Sequence, residues 1–225
     1  MFTKNLRVLA GVVILVIMLA GIFSCGSETS GPGQAPGSSQ GGNVIFSDDF
    51  SDSSSGWDIY SDDSGWVNVE DGWLHLMNNT EAPDETDSEC NRYFTNFILE
   101  VETKLVAGTD DNWHSIGCRL TDDGSYYKFS ISADGYYRVS IWIEDIDIDQ
   151  SNGPRSSSYI NQGQGAVNLM RIECIGDRLR LYANGHLLRE MTDDRLTGGD
   201  IYFAVSSLAG SYSEVAFDNL VITEP

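Results

Sequence analysis

From residue 44 to the end of the chain, apolar and polar side chains alternate with a period of two. The runs are short and set apart by clusters of Gly, Asn, Asp and Ser. After residue 43 no stretch keeps a 3.6-residue period over ten positions, so no helix is expected there. The alternation predicts strands at Val44–Phe46, Trp66–Glu70, Trp73–Met77, Tyr93–Val106, His114–Leu120 and Tyr126–Ser132. It predicts six more at Tyr136–Ile143, Val167–Cys174, Arg178–Ala183, His186–Glu190, Ile201–Ser206 and Glu214–Ile222. Between several of them Gly follows Asp or Asn, as in "DDGS" (122–125), "ADGY" (133–136) and "ANGH" (183–186). Tight hairpins need positive φ at such positions, which Gly and Asn tolerate. About a dozen strands in a domain of about 180 residues make two packed antiparallel sheets, so the expected class is all-β, a jelly-roll sandwich.

Strand parity assigns the faces. Around Asp134-Gly135, Tyr127, Phe129 and Ile131 match Tyr137, Val139, Ile141 and Ile143, and these form the core face. The opposite face carries Tyr126, Lys128 and Ser130 beside Tyr136, Arg138, Ser140 and Trp142. On the preceding strand Ile116, Cys118 and Leu120 point inward, while Trp113, Ser115, Gly117 and Arg119 point outward. Trp113, Arg119, Tyr126, Lys128, Tyr136, Arg138 and Trp142 are thus the candidate ligand-binding residues. Flat rings beside charged donors suit sugars, whose C–H faces stack on rings while their hydroxyls take hydrogen bonds. The alternative is that a loop or a terminal segment covers this face.

The first 43 residues follow another pattern. Lys4 and Arg7 precede an apolar run from Val8 to Phe23, which ends at "IFSC" (22–25). This resembles a bacterial lipobox, and the resemblance implies cleavage before Cys25 and lipidation of its thiol. On that reading 1–24 is a signal peptide, 25–43 a lipidated Cys and a flexible Gly/Ser/Pro tether, and 44–225 the folded domain. Phe23 departs from the small or β-branched residue usual at that position. An uncleaved anchor and an ordinary secretory peptide are the other two readings. All three place the domain outside the cytoplasm, with a lipid-anchored cell-membrane location as the leading one.

The formal net charge is −21, and loss of Lys4 and Arg7 makes the domain more acidic still. Such a charge excludes ordinary phosphate-tracking binding of nucleic acid. The chemistry of common metal and nucleophile motifs is thin. No Cys-x-x-Cys or His-x-x-x-His spacing occurs, and residues 44–225 hold no Gly-x-Ser-x-Gly elbow. No cofactor is expected. Calcium, drawn to Asp110, Asp111, Asp122 and Asp123, is a weak alternative without EF-hand spacing.

Three long segments bear a resemblance to a known family. They are "DDNWHSIGCRLTDDGSYYKFSISADGYYRVSI", "NLMRIECIGDRLRLYANGHLLREMTDD" and "GGDIYFAVSSLAGSYSEVAFDNLVI". Together they resemble the concanavalin-A-like lectin/glucanase superfamily, in the branch with laminin-G-like and 3-keto-disaccharide-hydrolase-like domains. The resemblance covers residues 45–223. It implies that the Trp of "DDFSDSSSGWD" (48–58) seals the sandwich. It also pairs cysteines on the strands that hold Cys118 and Cys174. Both alternate inward among apolar neighbours, and in an oxidising compartment a disulfide between them is expected. Two buried thiols are the alternative, and Cys90 is left as the odd thiol.

The resemblance also bears on "EDIDIDQ" (144–150), where Asp145, Asp147 and Asp149 alternate with isoleucines. Laminarinase-like glucanases carry their catalytic acids as Glu-x-Asp-x-Glu. Here all three acids are Asp, and Asp145 and Asp149 stand roughly 13 Å apart on an extended strand. Aspartates fall short of meeting across that span. The segment also follows a strand that ends at Ile143, so it is expected in a turn and loop. The resulting functional expectation is a surface-tethered module that binds carbohydrate, a glycan or envelope polysaccharide, without catalysing a reaction. A glycoside-processing hydrolase and a module that binds envelope proteins are the alternatives.

Overall fold

The computed structural model describes residues 42–80, 85–144, 146–150, 152–207 and 212–225. The signal segment, Cys25 and nearly all of the tether lie outside these residues, as does Asp145. The described strands are, in chain order, β1 (Val44–Asp48), β2 (Tyr60–Ser61), β3 (Gly65–Glu70), β4 (Trp73–Asn78), β5 (Glu85–Glu89), β6 (Phe97–Gly108), β7 (Trp113–Leu120) and β8 (Tyr126–Ser132). They continue as β9 (Tyr136–Ile143), β10 (Ile146–Asp149), β11 (Arg155–Ser156), β12 (Asn168–Ile175), β13 (Arg178–Ala183), β14 (His186–Thr192), β15 (Asp200–Ser206) and β16 (Ser213–Thr223).

Two antiparallel sheets pack face to face. One runs β14-β13-β12-β6-β16-β4-β3-β2, with β1 against β16. The other runs β10-β9-β8-β7-β15-β5, with β11 against β9. Each of the twelve expected strands is present, β8, β9 and β13 with the expected ends and the others with shifted ones. Alternation explains why: along β6, Phe97, Leu99, Val101, Thr103 and Leu105 are buried while the residues between them are partly exposed. The hairpin β13–β14 turns on Asn184 (φ 50°) and Gly185 (φ 82°), the left-handed pair that its sequence predicts.

The sandwich closes as expected around Trp57. Its indole nitrogen donates to Asp48 Oδ2 at 3.0 Å, and its ring stacks on Phe203 of β15 at 4.7 Å. Phe203 in turn stacks on Phe217 of β16 at 4.4 Å, so one column of rings joins the two sheets.

Cys118 and Cys174 also face each other across the core, but the expected disulfide is absent. Their Sγ atoms lie 2.8 Å apart, beyond the ~2.05 Å of a disulfide bond, and both are free cysteines. Cys90 is a third buried free cysteine.

Four strands lie beyond the twelve expected. In β5, "ETDSE", the inward positions are Thr86 and Ser88, so hydropathy shows no alternation. The short strands β2 and β11 are two residues each. The segment expected as a loop after Ile143 is instead β10, whose Ile146 pairs with Ile143 and Asp147 with Trp142. Glu144, at φ 48°, supplies the left-handed turn that folds β10 back.

Candidate functional site

The outward faces of the two sheets differ in chemistry. On the nine-stranded sheet, outward side chains form a ladder of ion pairs. Arg171 contacts Glu100 at 3.1 Å and Glu173 at 2.7 Å, while Arg180 contacts Glu173 at 2.9 Å and also Glu190. This face is a solvated, self-paired surface.

The outward face of the seven-stranded sheet is built in rows by strand register. Trp113 stands beside Ser132, Ser115 beside Ser130 and Arg138, and Gly117 beside Lys128 and Ser140. Tyr126 stands beside Trp142, and Trp142 beside Asp147. From the other edge, β15 brings Ser206 to Trp113 and Tyr202 to Gly117, and β5 adds Glu85, Asp87 and Glu89. A cavity of about 230 Å³ lies on this face. Trp113 and Trp142 line it with Lys128, Arg138, Glu85 and Asp147, and serines fill the spaces between.

The two cations of the cavity are held by its two acids. Lys128 Nζ donates to Glu85, and Arg138 donates to Asp147 Oδ2 at 2.5 Å. Behind Trp142, Tyr126 stacks at 5.7 Å and meets Tyr202 edge-on at 5.2 Å, which props the indole in place. Tyr202 lies flat over Gly117, where a Cβ would come within 1.7 Å of its ring. Trp142 Nε1 is buried without a hydrogen-bond partner among the described residues, so this corner keeps unused polar capacity.

Of the seven expected residues, Trp113, Lys128, Arg138 and Trp142 meet at this cavity, and Tyr126 supports it. Tyr136, 40% exposed, lines a neighbouring cavity of about 260 Å³ that shares Trp113 as a wall. Arg119 is a correction: it is 1% exposed and points away from this face. A bulge explains the reversal. Asp200 pairs with Leu120 and Ile201 with Cys118, so Arg119 is the extra residue, at φ 55°. Its guanidinium donates to the carbonyls of Leu196, Gly176 and Thr95, and it acts as a buried clasp. Leu120, expected inside, is half-buried beyond the bulge.

Sequence reading passed over Glu85-x-Asp87-x-Glu89, although its spacing is the one sought at residues 145–149. The missing signal was apolar alternation, since only polar residues occupy β5. Burial and then the neighbouring Glu85 raise the Asp87 carboxyl to about 6. Burial and then Asp200 raise Glu89. Two of the four acids considered for calcium accept hydrogen bonds within turns: Asp111 from the Thr109 hydroxyl at 2.5 Å, and Asp123 from Thr121 at 2.6 Å.

A family model described as a 3-keto-alpha-glucoside-1,2-lyase-like domain matches residues 43–223. No curated protein matches the chain. Among solved structures, the carbohydrate-binding module CBM66 from Bacillus subtilis superposes with a TM-score of 0.61 at 12% identity, covering 76% of this chain and 96% of that one. The β-glucanase of Bacillus licheniformis gives 0.59 at 14% identity, over 83% and 100%. The Crh5 transglycosylase gives 0.60 at 15% identity, over 80% and 83%. These likenesses show a shared fold, the concanavalin-A-like sandwich.

Proposed function

The chain belongs to the 3-keto-alpha-glucoside-1,2-lyase-like domain family, and from that premise we infer that it binds carbohydrate on the outer face of its seven-stranded sheet without catalysing a reaction. One observation carries this reading: Trp113 and Trp142 share a cavity with paired charges and serines. Indole faces offer apolar contact to sugar C–H groups, and the surrounding polar atoms serve hydroxyls. CBM66 is a carbohydrate-binding module with the same fold, which supports the ligand class. The apolar run ending at Cys25 supports a lipid anchor and placement outside the cytoplasm, so the domain acts as a tethered surface module.

A second reading rests on Glu85-x-Asp87-x-Glu89. Three carboxylates project from one face of β5, and a carboxyl held near 6 suits proton transfer at neutral pH. On this reading the chain is a glycoside hydrolase. The cavity favours binding, because Glu85 alone of the three lines it and Lys128 already holds Glu85.

A glycan array read alongside a reducing-sugar release assay separates the two. Binding without release, lost in Trp142→Ala, is the expected result. Release that disappears in Asp87→Asn would establish the hydrolase instead.

A further inference from the structure

We infer that this face selects neutral glycans and discriminates against those bearing carboxylate or sulfate groups, an inference that rests on the carbohydrate-binding reading above. The argument begins with the two cations. Lys128 and Arg138 would be natural anchors for a uronate or a sulfate, since both recognise oxyanions readily. Each is already engaged within the cavity, Lys128 by Glu85 and Arg138 by Asp147. Side-chain exposures are 12% and 18% for the first pair, and 32% and 25% for the second. Both pairs are thus shielded enough for their attraction to outlast screening by salt. An anionic sugar must displace a resident carboxylate or approach it closely. Either course costs free energy that a neutral hydroxyl avoids.

The rest of the face points the same way. Asp87 and Glu89 follow Glu85 along β5, which puts two further acids beside the one that Lys128 holds. Burial first, and then the charges of Glu85 and Glu89, raise the Asp87 carboxyl at this edge. In the neighbouring cavity, Asp111 and Asp134 join Trp113, Ser132, Tyr136 and Pro154, and no basic side chain lines it among the described residues. Asp134 accepts from the Ser132 hydroxyl at 2.5 Å, which fixes its side chain at that wall. A glycan touching both Trp113 and Tyr136 therefore meets acids with no cation left to offset its own charge. Over the whole chain the net charge of −21 adds long-range repulsion to the local one.

Hydroxyls fit where anions do not. Paired carboxylates keep lone pairs that accept from sugar O–H groups, and the paired Lys and Arg keep N–H groups that donate to sugar oxygens. Ser130, Ser140, Ser206 and Ser207 supply groups that do both. The ion pairs thus act as a neutral, two-way hydrogen-bonding lining between two aromatic platforms.

The test measures binding of the intact domain to two matched sets of oligosaccharides at physiological salt. The neutral set holds gluco-, manno-, galacto- and fructo-oligosaccharides; the anionic set holds oligogalacturonate, oligomannuronate and chondroitin sulfate fragments. The expected result is a neutral ligand held at least tenfold more tightly than any anionic one. Glu85→Gln and Asp147→Asn, which remove the negative charges facing Lys128 and Arg138, should narrow that gap, with thermal melts confirming that each variant folds. Anionic oligosaccharides bound as tightly as neutral ones by the wild type would overturn the charge selection and leave the carbohydrate reading standing. Failure of both sets to bind would overturn the carbohydrate reading and this inference with it.

Discussion

At the scale of single residues, the account rests most on Trp142 and Trp113. Each lines the principal cavity, and Trp142 is held from behind by Tyr126. Losing one such ring removes roughly 1–3 kcal/mol of apolar contact, which is about five- to 150-fold in affinity. Titration calorimetry of Trp142→Ala and Trp113→Ala should show losses of that size, with unchanged circular dichroism. His114 makes a separate claim, about pH. It sits 1% exposed in the core, its Nδ1 3.1 Å from the Thr103 hydroxyl. Burial pushes its pKa down to about 3, against about 6.5 in an unfolded chain. The folded state therefore resists a proton that the unfolded state accepts. Its contribution is complete above about pH 6.5 and is lost progressively as pH falls toward 3. Urea unfolding of wild type and His114→Leu across that range should show a shallower pH slope in the variant. Equal slopes would mean that His114 does not titrate between the two states.

At the scale of elements, the legibility of the sequence followed the apolar alternation. Where inward positions are large and apolar, as in β8 and β9, strand and face were both readable. Where inward positions are Thr86 and Ser88, β5 was invisible, and with it the acidic row that borders the cavity. Parity also fails past a bulge, because one extra residue exchanges the two faces. Arg119 sits at that bulge, so it was assigned to the ligand face when it belongs to the interior. Arg119→Met should cost about 3 kcal/mol in chemical denaturation, because three carbonyls lose a charged donor. Glycan affinity of the folded fraction should be unchanged. Gly117 is the complementary case on the same strand. Gly117→Ala drives a methyl into the Tyr202 ring, and through Tyr202 it disturbs Tyr126 and Trp142. The expected outcome is about 1–3 kcal/mol of destabilisation, together with weaker glycan binding, read by thermal melts and calorimetry on one preparation.

At the scale of the molecule, the two sheets divide the work. The nine-stranded sheet turns a ladder of ion pairs outward, and the seven-stranded sheet turns rings, serines and closed charge pairs outward. That asymmetry is the ground for proposing the seven-stranded face as the ligand face, and the five tryptophans report on the two sheets separately. Trp57 is in the core, Trp66 and Trp73 are on the nine-stranded sheet, and Trp113 and Trp142 are on the cavity. Each indole N–H gives its own signal in a nitrogen-15 correlation spectrum. The most direct measurement is therefore a titration of the labelled domain with pooled neutral oligosaccharides, following those five signals after assignment by single Trp→Phe variants. The account predicts that the Trp113 and Trp142 signals move with saturable dependence on sugar, while those of Trp57, Trp66 and Trp73 stay in place. Movement confined to Trp66 or Trp73, or no movement of any signal, would contradict it.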